Sequence, residues 1–183
     1  MLARPLVRAI LLAVLPTNSA VAQHAGADAL EELGLPPDLV AVAQGDERAA
    51  SALLGLPDST FRVGEGLLYE GTAATWAAAG GTVYAMLCEP DAPYDFRAGC
   101  GESRAPYRRV RELWWERPFE DAGAADAFRA QLARVLRSHA LSSFVECDHE
   151  HWELGGVIAE VGRGSSRATV TLSLSPTPDP LPE

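Results

Sequence analysis

The clearest pattern of hydrophobic and polar positions lies between residues 122 and 140. Its large apolar residues recur at i, i+4, i+7 and i+8, the spacing of one helix face: Phe128, Leu132, Val135 and Leu136. Asp121 precedes this stretch as a suitable N-cap, and Arg134 and Arg137 fall in the later turns, where positive charge complements the helix dipole. The pattern predicts one main amphipathic helix.

Strand patterns flank the predicted helix. Residues 82–88 form a continuous apolar run, and residues 167–174 alternate between apolar and hydroxyl side chains, so both predict strands. Residues 143–147 and 151–161 are further strand candidates, and the glycine- and serine-rich segment 162–166 is typical of a hairpin connection. The sequence therefore places three strands after the main helix.

Residues 107–117 fit two patterns. Tyr107, Val110 and Trp114 have the i, i+3, i+7 spacing of a helix face, whereas strict alternation would place Trp114 and Trp115 on opposite faces of a strand. The two tryptophans and the short distance to the next proline favour the strand.

The N-terminal half contains shorter elements. Residues 38–43 and 47–54 predict two short helices, with Asp46 as the N-cap of the second helix and Gly55 as its end. A short amphipathic stretch at residues 28–33 precedes them.

Less regular patterns follow these helices. Residues 60–63 and 67–69 are brief strand-like runs, which neighbouring glycines keep short. The alanine-rich stretch 72–79 around Trp76 predicts one or two helical turns.

This order of elements predicts an α+β fold. We expect an antiparallel sheet of about five strands, with the main helix packed on one face and the short helices preceding it. Residues 23–175 are expected to form a single domain, and the proline-rich residues 176–183 a disordered tail. No internal repeat is visible in the sequence.

The first 22 residues have the features of a secretory signal peptide. Arg4 and Arg8 give a positive start without acidic residues, an apolar run from Ala9 to Leu15 follows, and Ala20-Val21-Ala22 fits the small-x-small cleavage pattern. The apolar run is much shorter than the roughly 20 residues of a membrane-spanning helix. We therefore predict cleavage after Ala22 and a periplasmic or secreted mature chain without a membrane span.

Charge limits the partners of such a mature chain. Cleavage would lower the formal net charge from −10 to −12, because Arg4 and Arg8 leave with the signal segment. A surplus of negative charge disfavours phosphate backbones and anionic membrane surfaces, so no nucleic-acid partner is expected. The chain has no lysine, whose codons are AT-rich, and this usage fits a GC-rich bacterial genome.

The cysteines are Cys88, Cys100 and Cys147. In an oxidising compartment a disulfide is expected. A Cys88–Cys100 bond would close the loop between two predicted strands and is the favoured pairing, whereas a Cys88–Cys147 bond would join two neighbouring strands. The favoured pairing leaves Cys147 as the odd thiol, and the sequence shows no base and orienting group that would make it a nucleophile.

The densest run of ligand-type residues surrounds His149 and His151. On a strand, alternate residues share a face, so Cys147, His149 and His151 would point together. Two imidazoles roughly 6.6 Å apart at Cα can converge on one zinc ion, but Cys147 and His151, at about 13 Å, cannot share it. His139 or a carboxylate would have to supply a third ligand. A solvated polar strand end with Trp152 packed inward is the favoured alternative.

A set of arginines offers a second, weaker candidate site. An anion could bind near Arg108, Arg109 and Arg111, but a solvated face that pairs with Glu112 and Glu116 is the favoured interpretation. The full set also contains Arg104 and Arg117.

The sequence lacks the common catalytic motifs, including GxSxG, the Walker loop, GxGxxG and CxxC. The leading hypothesis is therefore an exported, non-catalytic binding or accessory protein of the cell envelope, with an envelope protein or small ligand as its partner and no cofactor. One alternative is a metal-binding protein or metalloenzyme that holds zinc through His149 and His151. The other is a small-anion binder that uses the arginine set.

Overall fold

A computed structural model of the chain describes residues 18–63, 71–88 and 107–177. The helices in these residues are α1 (Asn18–Glu32), α2 (Leu39–Ala43), α3 (Glu47–Leu54) and α4 (Ala122–His139). The strands are β1 (Ser59–Val63), β2 (Gly71–Ala78), β3 (Gly81–Leu87), β4 (Val110–Pro118), β5 (Ser142–Glu146), β6 (His149–Glu153), β7 (Val157–Arg163) and β8 (Thr169–Pro176). The predicted strand-like run at 67–69 lies outside the described residues.

The described strands form one antiparallel sheet in the order β1-β2-β3-β4-β8-β7-β6-β5. The α+β class and the single antiparallel sheet are confirmed, but the predicted number of about five strands is wrong, because the sheet has eight. Residues 110–118 form a strand, as the tryptophan pattern favoured. Two local features of the sequence account for most of the difference in strand number.

The first is the alanine-rich stretch, which forms β2 instead of the predicted helical turns. β2 lies between β1 and β3 and is paired on both of its edges. Trp76 in its middle is buried, and its Nε1 donates to the Gly55 carbonyl at 2.9 Å. Pairing on two sides outweighs the helix propensity of alanine, which is a weak preference of under about 1 kcal/mol per residue.

The second is a tight turn inside the predicted strand 151–161, which divides it into β6 and β7. Gly155 and Gly156 have φ angles of 64° and 94°, values that glycine adopts without strain. Leu154 N donates to the Val157 carbonyl at 2.8 Å and closes the turn. The Gln44 side chain fixes it from outside, since its Nε2 donates to the Gly155 carbonyl at 2.7 Å.

The helices begin where the sequence supplies caps. The Asp46 carboxylate accepts hydrogen bonds from Arg48 N and Ala49 N, both at 2.9 Å, and α3 starts directly after it. Asp121 accepts from Ala124 N at 2.8 Å and starts α4 in the same way. These bonds satisfy N–H groups that have no partner within the first turn of a helix.

The helices cover one face of the sheet. α2 contacts β4 and β8, and α4 contacts β7 and β8. Trp115 is fully buried between the layers, and its Nε1 donates to the Ala78 carbonyl at 3.1 Å. The main core cluster joins helix and strand side chains, among them Leu30, Leu132, Leu136, Leu113, Leu172 and Leu174. Alternate strand residues therefore face the opposite side of the sheet, where the described residues place no helix.

Both halves of the chain follow the same topology. Helices α1–α3 precede the four-strand meander β1–β4, and α4 precedes the meander β5–β8. The last strands of the two meanders pair at the centre of the sheet, with Trp115 opposite Leu172. The first strand of each meander, β1 or β5, is consequently a terminal strand of the sheet. No sequence repeat accompanies this topological one.

The structure can be compared with the predicted start and the predicted tail of the mature chain. The proposed cleavage site after Ala22 falls within α1, but the buried residues Gly26, Ala29 and Leu30 follow it and would remain. At the other end, Thr177 N donates to the Gly156 carbonyl at 2.9 Å, so sheet pairing extends into the segment predicted as a tail. No helix in the described part of the chain is long and apolar enough to cross a membrane.

Candidate functional site

The hairpin formed by β5 and β6 carries the predicted ligand residues. Its two-residue turn consists of Cys147 and Asp148, whose φ angles are 49° and 66°. Two consecutive positive φ angles define the type I′ turn that best matches the twist of paired strands. Because the chain reverses at Cys147, this cysteine is not on the face shared by His149 and His151, contrary to the prediction for a straight strand.

His149 and His151 do lie together, and the carboxylate of Glu160 on β7 lies between them. His149 Nδ1 is 2.6 Å from Glu160 Oε1, a hydrogen-bond distance. His151 Nδ1 is 3.9 Å from Glu160 Oε2, which is too long for a hydrogen bond. Glu160 lies opposite His151 in the strand register. The sequence indicated the histidine pair but gave no way to select this carboxylate among the acids.

His151 and Glu160 belong to a row of directly opposed residues that crosses all eight strands on the face away from the helices, and His149 lies beside this row on the same face. Phe144 stacks on His151 with ring centroids 4.9 Å apart, and Tyr84 stacks on Trp114 at 5.4 Å. Both ring pairs are within 9° of parallel. The directly opposed residues are Phe144–His151, His151–Glu160, Glu160–Ser173, Ser173–Trp114, Trp114–Tyr84, Tyr84–Thr75 and Thr75–Ser59.

A second carboxyl group, Glu112 on β4, belongs to the same face. Burial raises the pKa of the Glu112 carboxyl, the charge of Arg111 partly offsets this, and the charge of Glu160 raises the pKa further. A carboxyl group with a raised pKa can retain a proton and serve as a hydrogen-bond donor. Glu112 and Glu160, which the sequence did not single out, thus add two carboxyl groups to the face that carries the predicted histidine pair.

The opposite side of β6 is occupied by an ion pair with α4. Arg137 contacts the Glu150 carboxylate through two bonds, Nε to Oε1 at 3.0 Å and Nη2 to Oε2 at 2.5 Å. Trp152 Nε1 also donates to Glu150 Oε1, at 3.1 Å. Hydrogen bonding from Arg137 is the main cause that lowers the pKa of Glu150. Trp152 packs inward, as predicted.

The geometry gives mixed support to a metal centre. The described residues contain no group of three histidine, cysteine, aspartate or glutamate side chains arranged to hold a metal ion. His139, one possible third ligand, lies at the end of α4, and its Nε2 contacts Glu32 Oε2 at 3.1 Å. His149 and His151 instead have Glu160 beside them. In the arrangement observed, the carboxylate serves as a hydrogen-bond partner of His149.

The cysteines are separated in the structure. Cys147 is a free and exposed thiol, so the alternative Cys88–Cys147 bond is not formed. Cys88 is buried, and its backbone N donates to the Arg109 carbonyl at 2.9 Å. Cys100 lies outside the described residues, and the Cys88–Cys100 disulfide therefore stays a prediction.

The arginine set does not form a uniform cationic surface. Arg108 Nη1 is 3.6 Å from Glu47 Oε2, and the charge of Arg111 acts on Glu112. Arg117 lies over the Phe119 ring, with its guanidinium carbon 5.0 Å from the ring centroid. Arg109 is exposed, and Arg104 lies outside the described residues. These contacts favour the interpretation of a paired, solvated face over an anion site.

Strand β5 was predicted as a strand but not as a candidate binding element. Every residue of β5 is exposed, and Phe144 and Val145 are 43% and 71% exposed. The type I′ turn makes Glu146 and His149 a hydrogen-bonded pair, so every second residue of β5 directs its backbone groups to β6. Ser143 and Val145 consequently direct their N–H and C=O groups to the open edge.

No protein-family model, curated protein or solved structure matches this chain.

Proposed function

We propose that the protein is an exported, non-catalytic binding or accessory protein of the cell envelope. The observation that carries this proposal is the distribution of exposed hydrophobic side chains. Within the described residues, the large ones fall in two segments, one leading into β1 and the other at β5: Leu53, Leu56, Phe61, Leu141, Phe144 and Val145. Terminal strands that expose apolar side chains can pair with another chain, which favours a binding role.

The described residues do not place the exposed thiol of Cys147 in a nucleophilic arrangement. His149 pairs with Glu160, Glu150 with Arg137, and His139 with Glu32. Nucleophilic catalysis needs a nucleophile and a base within hydrogen-bond reach of each other. Cys147 lies in the turn, off the face shared by His149 and His151, and no hydrogen bond joins it to a histidine in the described part of the chain.

Site-specific photo-crosslinking in cells tests the proposal. A photoreactive phenylalanine at position 144 or 61 should capture a discrete partner, because both aromatic residues are exposed on terminal strands. The same residue at Arg134, exposed on α4, is the matched control and should capture none. Failure to crosslink at both edges would contradict the proposal, as would hydrolytic turnover that a single Glu160→Gln change abolishes.

A metal-binding function is the second candidate, favoured by the placement of two imidazoles against one carboxylate. Within the described residues these side chains are not arranged to hold a metal ion, so zinc would have to draw the two imidazoles and the carboxylate together. Elemental analysis of untagged protein should then show about one zinc per chain, lost in the His149→Ala/His151→Ala variant and kept in His139→Ala. Equal metal content in all three proteins would exclude this function.

Export and the disulfide belong to the same proposal and share one measurement. Intact mass of exported protein should correspond to a chain that begins at Gln23. Reduction should raise the mass by the two hydrogens of one disulfide between Cys88 and Cys100. A mass that retains residues 1–22 would contradict processing, and an unchanged mass on reduction would contradict the disulfide.

A further inference from the structure

We infer that β5 takes up an extended segment of a partner protein by strand addition, and that this segment has basic side chains on one face and apolar side chains on the other. The inference rests on the proposed binding function and names the partner chemistry. Its basis is the backbone, the side chains and the charge of one sheet edge.

The backbone of β5 is suited to an added strand. β5 is a terminal strand of the sheet, with β6 on one side. Ser143 and Val145 present their N–H and C=O groups to the other side, at the spacing that a ninth strand would need. Main-chain hydrogen bonds of this kind supply affinity in strand addition, and alternate side chains supply specificity.

The side chains of β5 do not protect the edge. Natural sheet edges commonly carry lysine, proline or inward-pointing charge, which prevent pairing with other chains. Residues 142–146 contain neither lysine nor proline, and the apolar Phe144 and Val145 are at the centre. Such an edge in a folded protein is typical of a strand that has a partner.

The charge around this edge selects the partner. The sequence has no lysine or arginine between Arg137 and Arg163, and Arg137 is itself bound to Glu150. The acids in this interval are Glu146, Asp148, Glu150, Glu153 and Glu160. A basic segment complements this surface, whereas a second copy of the same acidic hairpin would be repelled.

The two faces of the β5–β6 hairpin carry different side chains. The partner segment should therefore alternate between basic and apolar residues. On the face away from the helices, Phe144 and Glu146 are aligned with His151 and His149. An arginine there could pair with the carboxylate and stack on the ring. On the helix side, Val145 is 71% exposed beside Glu150, which Arg137 already neutralises. An apolar side chain fits that position.

Fluorescence anisotropy with synthetic peptides tests the inference. The probe is a labelled peptide of about ten residues that alternates arginine with valine. We expect it to bind about tenfold or more tightly than a peptide of the same composition with the arginines and valines in separate blocks. The block peptide has the same charge, so general electrostatic attraction would bind both equally.

Variants locate the binding at the edge. Val145→Pro removes an outward N–H donor while leaving the β5–β6 ladder intact, because proline is tolerated on the open side of an edge strand. It should weaken binding about tenfold or more. Val145→Glu keeps the backbone N–H donor and should weaken binding because the apolar contact is lost. This second variant tests the same edge if Val145→Pro does not fold. Phe144→Ser should weaken binding, and Phe61→Ser, its counterpart on β1, should not.

Several results would overturn the inference: equal binding of alternating and block peptides, no binding of either, or binding unaffected by Val145→Pro and Val145→Glu. Sedimentation that shows a dimer disrupted by Val145→Glu would assign the edge to a second copy instead. If the peptide fails to bind while crosslinking at Phe61 captures a partner, the inference falls and the proposed function stands. If crosslinking also fails, both fall.

Discussion

His149 Nδ1 and Glu160 Oε1 are 2.6 Å apart, although eleven residues and a glycine turn separate them along the chain. The contact exists because β6 and β7 are antiparallel neighbours with His151 directly opposite Glu160. It shows how the face of the sheet away from the helices collects titratable side chains from separate strands. The charge of Glu160 also reaches Glu112 on β4.

Replacing Glu112 with glutamine should stabilise the protein at neutral pH. The pKa of the Glu112 carboxyl is raised, mainly by burial, above its ordinary value of 4.5. The folded chain therefore binds this proton more tightly than the unfolded chain, and stability falls as the pH rises through the interval between the two pKa values. Glutamine cannot ionise and avoids this loss.

Thermal unfolding near pH 7 checks the Glu112→Gln prediction. The melting temperature should increase by about 2–4 °C, which corresponds to ~1 kcal/mol in a chain of this size. The gain should disappear below the ordinary carboxyl pKa of 4.5, where Glu112 is protonated. Glu120→Gln, at an exposed position, is the control and should have little effect. An unchanged or lower melting temperature for Glu112→Gln near pH 7 would contradict the prediction.

The Arg137–Glu150 pair should stabilise the protein more at neutral pH than at low pH, the opposite of the pH dependence expected for Glu112. Hydrogen bonding from Arg137 holds the pKa of Glu150 below its ordinary value of 4.5. A lowered carboxyl pKa contributes stability that is present above the unfolded value and is lost as the pH falls through the folded value. Both groups are exposed enough for water and salt to screen the pair, so the effect should be small.

Urea unfolding of Arg137→Met checks this contribution. The variant should unfold at lower urea than the original protein near pH 7, and the two midpoints should converge as the pH falls well below 4.5. Arg134→Met, exposed on the same helix, should show no such pH dependence. A midpoint difference that is the same at both pH values would mean that Arg137 acts through packing instead of charge.

Gly81 should not tolerate even one additional carbon atom. A Cβ there would overlap the Glu116 carbonyl oxygen and lie 2.8 Å from Trp115 Nε1. Gly81→Ala is therefore expected to lower the free energy of unfolding by about 1–3 kcal/mol. Gly162, on β7, has no such neighbour within 4 Å, and Gly162→Ala should change stability by less than about 0.5 kcal/mol. Equal effects in a denaturant titration would argue against this packing at Gly81.

Replacing the two residues of the turn between β5 and β6 should stabilise the protein. Cys147 and Asp148 adopt positive φ angles, for which Asn-Gly is the preferred pair. Cys147→Asn/Asp148→Gly should stabilise the protein by about 0.5–1 kcal/mol in denaturant titrations under reducing conditions. Cys147→Val is the contrasting variant, because a branched side chain is strained at positive φ, and it should destabilise. The reverse order of stabilities would exclude this turn type.

Much of the fold could be predicted from local patterns. The cap at Asp46 and the stripe ending at Leu136 indicated helices, because capping and amphipathic spacing act within a few residues. The stretch around Trp76 could not be assigned in this way. Its alanines favour a helix locally, and only pairing with β1 and β3 on both edges makes it a strand.

In the candidate site, too, only the features that depend on neighbouring residues could be predicted from the sequence. Alternation on one strand was enough to put His149 and His151 on a common face. Nothing in the sequence distinguished Glu160 and Glu112 from the other acids, since their proximity depends on strand order and register. The turn at Cys147 also escaped prediction, because asparagine and glycine, its usual residues, are absent there.

By itself, the sequence determined the main helix, several strands, the acidic charge and the histidine pair, all of which depend on residues close together in the chain. Only the tertiary structure decided that the sheet has eight strands, that Glu160 lies between His149 and His151, and that β5 is left at an edge. The physical reason is that strand pairing joins distant residues. Its register follows from burial of one whole face against the helices, which no local pattern contains.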